Sequence, residues 1–174
     1  MIKIREAVID DAGAIAQLGR LTFSETFGHL FRDKNDLEEY FEKTFSTEKI
    51  RNSFTKPNNI FWISHVNDQP VGYAKLKIRS ASAFIQSEKT AQLQKIYVLK
   101  DFHSLKIGLE LQKKLIAKAK EEGNESIWLS VLHTNDKAIR FYERNGFAEI
   151  GKHEFQIGKE NFTFIVMSKS LIRY

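Results

Sequence analysis

Cysteine is absent from the 174 residues of this chain. Its absence excludes disulfides, thiolate metal ligands and a cysteine nucleophile. It also removes any reason to place the chain in an oxidising compartment, so the cytoplasm is the expected location. Proline is scarce: Pro57 and Pro70 are the two, each expected just past the end of an element, where a missing N–H and a fixed φ are tolerated. No apolar run approaches the ~18 residues of a membrane span. The opening Met1-Ile2-Lys3-Ile4-Arg5-Glu6 lacks the apolar core and cleavage site of a secretory signal. Lysine and arginine outnumber the acids, 27 to 22, yet no basic run of ~5–8 residues and no DNA-binding motif is present. Neither a membrane nor nucleic acid is therefore expected as a partner. Repeats and low-complexity tracts are also missing. What is present is an ordinary globular balance, 42% hydrophobic and 28% charged, in a length suited to one domain over residues 1–174.

The pattern of apolar residues predicts the elements. Ile2 and Ile4 alternate with Lys3 and Arg5 as a strand over 2–8. Asp10 and Asp11 then offer an N-cap to a helix carrying Ile15, Leu18, Leu21, Thr22 and Phe27. Two shorter helices follow at 35–44 and 47–55, the second capped by Ser46. Residues 60–66 read as a buried strand, Asn67-Asp68-Gln69-Pro70 as a turn, and Ala74, Leu76 and Ile78 as the inward positions of a hairpin partner whose other face is wet. Residues 80–89 read as a loop and 91–99 as a strand. Ile107, Leu111, Leu115 and Ala119 mark a long amphipathic helix over 104–122, stopped at Gly123. A strand at 125–133, a helix at 135–144 and strands near 147–156 and 161–169 complete the chain. The order predicts a mixed α/β sheet with crossover helices, whose ligands belong where strand ends meet helix N-termini. That directs attention to 93–109 and 129–142.

In the first of these segments Leu93–Val98 leads through a short loop into Ser104-Leu105-Lys106-Ile107-Gly108-Leu109. The first N–H groups of a helix have no internal partner and lie at the positive end of its dipole, so they suit a pyrophosphate. Gly108 allows a close approach of ligand to backbone. The second segment reads Asn135-x-x-Ala138-x-x-Phe141-Tyr142-x-x-x-Gly146-Phe147. Together the two resemble the GNAT family of N-acetyltransferases. Gly108 stands in that family's Gln/Arg-x-x-Gly-x-Gly/Ala signature, with His103 in the place of Gln or Arg and Lys106 in the place of the first glycine. More loosely, Thr22-Phe23-x-x-Thr26-Phe27, Trp128-Leu129 and a tail of Gly151, Phe155, Gly158, Met167, Lys169 and Leu171 resemble the PaiA-type polyamine acetyltransferases.

The resemblance implies a mixed, mostly antiparallel sheet of about seven strands flanked by helices, and an enzyme that moves an acetyl group from acetyl-CoA to a primary amine. A polyamine such as spermidine or spermine is the acceptor it implies, with a protein N-terminus, a lysine or an aminoglycoside as alternatives. A reading of another class is a CoA-binding regulator with little turnover. The strands 93–98 and 127–133 would splay, with the pantetheine arm along Ile96, Tyr97 and Val98. The amides of Ser104, Leu105, Lys106, Ile107, Gly108 and Leu109 would hold the pyrophosphate, and Asn135 the CoA arm. Tyr142 would protonate the departing thiolate. Glu25, His29 and Tyr40 are assigned to the acceptor, no metal is expected, and a homodimer is implied.

The base is open in the sequence. Gln94 stands near the place where relatives often carry glutamate, and an amide takes no proton. Glu25, His29 and His133 are the other candidates. Residues 33–48 collect Asp33, Asp36, Glu38, Glu39, Glu42 and Glu48 against Lys34 and Lys43, an acidic patch suited to a polycation. Tyr40 and Phe41 within it could sheath methylene chains.

Overall fold

The structure, a computed structural model, describes residues 1–172. Its elements are β1 (Ile2–Glu6), α1 (Ala12–Phe27), α2 (Lys34–Thr44), α3 (Thr47–Phe54), β2 (Asn59–Val66), β3 (Gln69–Lys77), β4 (Thr90–Val98), α4 (Ile107–Glu121), β5 (Ser126–Leu132), α5 (Asp136–Arg144), β6 (Ala148–Ile157) and β7 (Glu160–Ser170). The strands form one 7-stranded sheet in the order β1-β2-β3-β4-β5-β7-β6. Every neighbouring pair is antiparallel except β4 with β5. The mixed, mostly antiparallel sheet expected from the sequence is thus present.

Helices cover both faces. The apolar stripe Ile107, Leu111, Leu115 and Ala119 of α4 is buried against Leu76, Leu93, Ile127 and Leu129, in a core that also takes Tyr142 and Phe147. Each such side chain contributes roughly 1.5–3 kcal/mol by leaving water. On the other face Ala12, Ile15, Ala16 and Leu18 of α1 pack on Phe61, Ile63 and Tyr73. A third, aromatic cluster joins the end of α1 to α2 and to β7 through Phe23, Phe27, Phe41, Phe45 and Phe162. Gly19 makes the join close: a Cβ there would stand 2.3 Å from the Phe45 ring.

Several local expectations change. The first strand ends at Glu6, and Leu21 is exposed rather than core. Asp11 does not cap α1 with its side chain. Its carboxylate accepts from Val8 N at 2.8 Å and pairs with Arg5, which closes a short 3₁₀ turn instead. Ser46 does cap α3, accepting from Lys49 N at 3.1 Å. Asn67 and Asp68 both have left-handed φ, 49° and 67°, as a tight two-residue hairpin turn demands. Pro70 lies inside β3 opposite His65, where the register slips and a missing N–H does no harm. The second face of β3 is not simply wet, because Tyr73 is buried there and Lys75 partly so.

The long helix starts three residues late. Residues Lys100–Leu105 form a 3₁₀ helix, and Lys106 turns the chain into α4 with φ 59° and ψ 25°. Its end is as expected: Gly123, with φ +79°, follows the last turn.

Candidate active site

The parallel pair β4–β5 is joined along Thr90–Ser126, Ala91–Ile127 and Gln92–Trp128, and beyond these residues the strands no longer pair. A wedge-shaped gap therefore opens between residues 93–98 and the second half of β5. Its β4 wall is polar backbone. Leu99 N donates to Val71 O at 2.8 Å, so by the two-residue alternation of a strand Tyr97 and Lys95 turn their backbone groups to β3. Ile96 and Val98 turn theirs into the gap. Val98 O is taken by His103 Nε2 at 2.7 Å, which leaves Val98 N–H and both groups of Ile96 for a ligand. The register between β3 and β4 slips at Lys75/Leu76, leaving Gln94 as the extra residue of a bulge. Gln94 Oε1 is buried without a hydrogen-bond partner.

At the mouth of the gap stands the N-terminus of α4. The amides of Ile107, Gly108 and Leu109 precede the first intrahelical bond, Glu110 N to Lys106 O at 3.3 Å, and the N-cap supplies no side-chain acceptor. A Cβ at Gly108 would meet only Ile96 Cγ2, at 4.0 Å. Packing within the protein thus leaves the space before Gly108 open, which fits a pyrophosphate approaching the backbone. Ser104 and Leu105 belong to the 3₁₀ helix before α4. Their amides turn back along that helix, as 3₁₀ bonding requires, so the pyrophosphate role expected of these two is withdrawn. Lys106 sits at the cap with its charge beside the site. Lys137 Nζ lies 3.2 Å from His103 Nδ1. With the His103–Val98 bond, this contact ties the 3₁₀ helix to both β4 and α5.

Asn135 is the N-cap of α5, its Oδ1 accepting from Ala138 N at 3.3 Å. The same amide keeps Nδ2 for a ligand. Tyr142 is buried on the inner face of α5, against Phe141 and Phe147 at ring separations of 5.3 and 5.5 Å. Its hydroxyl has no hydrogen bond to the described residues. Burial, with the Tyr97 phenol nearby, raises its pKa far above that of an ordinary tyrosine. It therefore stays protonated at neutral pH and is a donor. Tyr97 is raised as well, by burial and by Tyr40.

The expected acceptor residues fare differently. Glu25 is an anchor: its Oε1 accepts from Lys100 N at 3.1 Å and fastens α1 to the 3₁₀ helix. His29 lies in the turn Gly28–Leu30 after α1, without a hydrogen bond to the described residues. Tyr40 packs tilted against Phe23 at 4.8 Å and edge-on to Phe45 at 6.0 Å, and burial raises its pKa. His133, at the end of β5, has Nδ1 3.0 Å from Thr163 O. Nδ1–H donates in that contact, and Nε2 is turned away from the carbonyl. The acidic patch is partly spent on structure. Asp33 caps α2 and pairs with Lys159 at 2.8 Å, and Asp36 accepts from Lys159 N at 2.9 Å. Glu38, Glu39 and Glu42 remain exposed.

What sequence reasoning missed are Lys75 and Lys95. They are directly opposed in the β3–β4 register and partly buried on the α1 face. Lys95 Nζ lies 5.1 Å from the Phe45 ring centre and Lys75 Nζ 5.5 Å from that of Phe61. Burial lowers both to about 8. An alternation of lysine with apolar residues looks like a wet strand face, and only the overlying helices show otherwise. Among the described residues no group of three or more His, Asp or Glu is placed to hold a metal ion, and no helix is long and apolar enough to cross a membrane.

The chain is similar to known proteins. A model of the acetyltransferase (GNAT) family matches residues 24–147. An uncharacterised N-acetyltransferase from the pepI 3′ region of Lactobacillus delbrueckii subsp. lactis is 26% identical over 171 residues, 98% of each chain. The crystal structure of PaiA N-acetyltransferase from Thermoplasma acidophilum in complex with coenzyme A superposes with a TM-score of 0.77 at 21% identity, covering 98% of this chain and 99% of that one. The ribosomal-protein-S18-alanine N-acetyltransferase of Escherichia coli superposes with a TM-score of 0.73 at 18% identity, covering 100% and 96%.

Proposed function

The chain belongs to the GNAT family of acetyltransferases, and from that premise we propose that residues 1–174 act as one N-acetyltransferase domain working in the gap between β4 and β5. The enzyme is acetyl-CoA-dependent. The observation that carries the reading is the coincidence, at one place, of unpaired β4 backbone, free α4 amides and an unbonded, protonated Tyr142 hydroxyl.

Acetyl-CoA supplies a thioester that a neutral amine attacks, the acetyl carbon passing to nitrogen and CoA leaving as the thiol. Ile107, Gly108 and Leu109 hold the pyrophosphate through their N–H groups, with Lys106 adding charge. Ile96 and Val98 align the pantetheine arm alongside Tyr97. Val98 N–H polarises the acetyl carbonyl as a single oxyanion donor. Asn135 Nδ2 holds the arm from the opposite wall. Tyr142 gives its proton to the departing sulfur, a role worth roughly 10²–10⁴ in rate. His133 Nε2 takes the proton the acceptor must lose. An alkylamine near the lysine value of ~10.4 costs on the order of 4–5 kcal/mol to neutralise at neutral pH.

For the acceptor two readings have support. A polyamine such as spermidine is favoured by the likeness to PaiA and by the exposed Glu38, Glu39 and Glu42, with Tyr40 as an apolar wall. An amine that also carries negative charge is favoured by Lys75 and Lys95. A homodimer and a cytoplasmic setting complete the reading. The experiment is thiol release from acetyl-CoA with spermidine, a lysine peptide, an N-terminal peptide and an aminoglycoside in parallel. The chain adds no thiol background, having no cysteine. Amine-dependent release supports the assignment. Acetyl-CoA binding without release for any amine would turn it toward a CoA-binding regulator.

A further inference from the structure

The α1 face of β3 and β4 carries an unexplained concentration of positive charge. Lys75 and Lys95 face one another across β3 and β4, a spacing that puts their Cβ atoms roughly 4.5–5.5 Å apart. Like charges so placed oppose one another. Neither ammonium is ion-paired among the described residues, and each rests on aromatic rings instead: Lys75 on Phe61, Lys95 on Phe45 and Tyr97 at 5.1 and 6.0 Å. The charges that act on Lys75 include no acid. Lys49 of α3, Lys56 beyond it and Lys77 of β3 all push Lys75 in the same direction as Lys95 does. From α1, Arg20 donates to Phe45 O at 2.7 Å. Taking two cations partly out of water without a counter-charge is costly, and a structural role would be met as well by methionine.

We propose that Lys75 and Lys95 form an anion-binding subsite of the acceptor pocket, so that the amine acetylated here bears a carboxylate or phosphate group a short chain away. The proposal rests on the acetyltransferase reading and selects the acceptor class. Position supports it. Lys95 is the residue before Ile96 on the wall of the gap, and Val98 is three residues further, roughly 10 Å along a strand. The Lys95 side chain covers part of that distance, its ammonium lying 6.0 Å from the Tyr97 ring centre, so a short chain separates the reacting nitrogen at Val98 from an anionic tail at Lys95. Phe45, against which Lys95 rests, belongs to the same aromatic cluster as Tyr40. Removing water around such a pair strengthens its attraction for an anion.

The test compares acceptors of matched length and different tails: γ-aminobutyrate, aminopropyl phosphate, butylamine and putrescine. The ratio of kcat/KM for an anionic tail to that for putrescine is expected to exceed about tenfold in the native enzyme, and to fall by about tenfold or more in Lys95→Met and Lys75→Met. Lys95→Arg should keep the ratio. The carboxylate and phosphate arms tell which anion fits. A preference for putrescine, or an anionic preference that survives the double Lys75→Met, Lys95→Met variant, overturns the subsite. If no acceptor turns over, calorimetry with N-acetyl-γ-aminobutyrate and N-acetylaminopropyl phosphate in the presence of CoA decides. Binding of either that is lost in Lys95→Met supports the subsite, and absence of binding by both to the native enzyme overturns it. Failure to bind acetyl-CoA itself would instead strike the reading on which the proposal rests.

Discussion

Lys106 offers the sharpest local test, because its backbone conformation and its charge can be separated. It holds φ 59° and ψ 25° at the cap of α4, in the left-handed region where a side-chain-bearing residue pays roughly 1–2 kcal/mol. Glycine removes that strain but gains about 0.4–1 kcal/mol of freedom in the unfolded chain. Lys106→Gly should therefore stabilise the fold by ~0.5–1 kcal/mol, or about 1–4 °C in Tm for a chain of this size. Lys106→Ala keeps the Cβ and the strain and should stay within ~0.5 kcal/mol of the native protein. Both variants lose one positive charge beside the proposed pyrophosphate site, so both should raise the KM for acetyl-CoA to a similar extent, and less so at high salt. Urea titration and steady-state kinetics on the three proteins are the assay. Equal stability of the Gly and Ala variants would refute the strain. A KM that rises in Ala alone would show that conformation, not charge, governs cofactor binding.

Tyr142→Phe should reduce kcat by about tenfold or more while acetyl-CoA still binds, and unchanged turnover would remove the acid role. Asn135→Ala should cost ~1 kcal/mol as a lost helix cap and also raise the KM for acetyl-CoA; a stability loss alone would leave Asn135 a cap and nothing more. Lys95 is held at about 8 against 10.5, so the unfolded chain binds the proton more tightly and the fold is penalised below about pH 8. The penalty fades as pH rises to 10.5 and is absent above it. Lys95→Met should therefore melt higher than the native protein at neutral pH, with the advantage shrinking through that window. An advantage independent of pH would contradict the buried charge.

Much of the architecture was legible in the sequence because its cues are local. The α4 stripe of Ile107, Leu111, Leu115 and Ala119 fixes a helix and the face it buries, Gly123 fixes its end, and Asn67-Asp68 fixes the hairpin. The start of α4 was not legible. Nothing in Ser104-Leu105-Lys106 says that the chain first makes a 3₁₀ helix and then a left-handed turn, since lysine has no preference for that conformation. Leu21 shows the same limit: helical spacing places it near the apolar stripe, and only the docking of α1 in the fold shows that it stays exposed. The motif Asn135…Tyr142…Gly146 located α5 beside the gap, but the acceptor side depends on contacts far apart in the chain. Asp33 and Asp36 look free in sequence and are spent on Lys159, more than a hundred residues away. Lys75 and Lys95 look solvated and are pressed against Phe61 and Phe45.

The wedge between β4 and β5 is the proposed acetyl-CoA site. Amide NMR of the native protein titrated with acetyl-CoA tests that directly. The N–H resonances of Ile96, Val98, Ile107, Gly108 and Leu109 should shift together and saturably, with those of β1 and β2 unmoved. Shifts confined to another surface, or none at saturating acetyl-CoA, would contradict it.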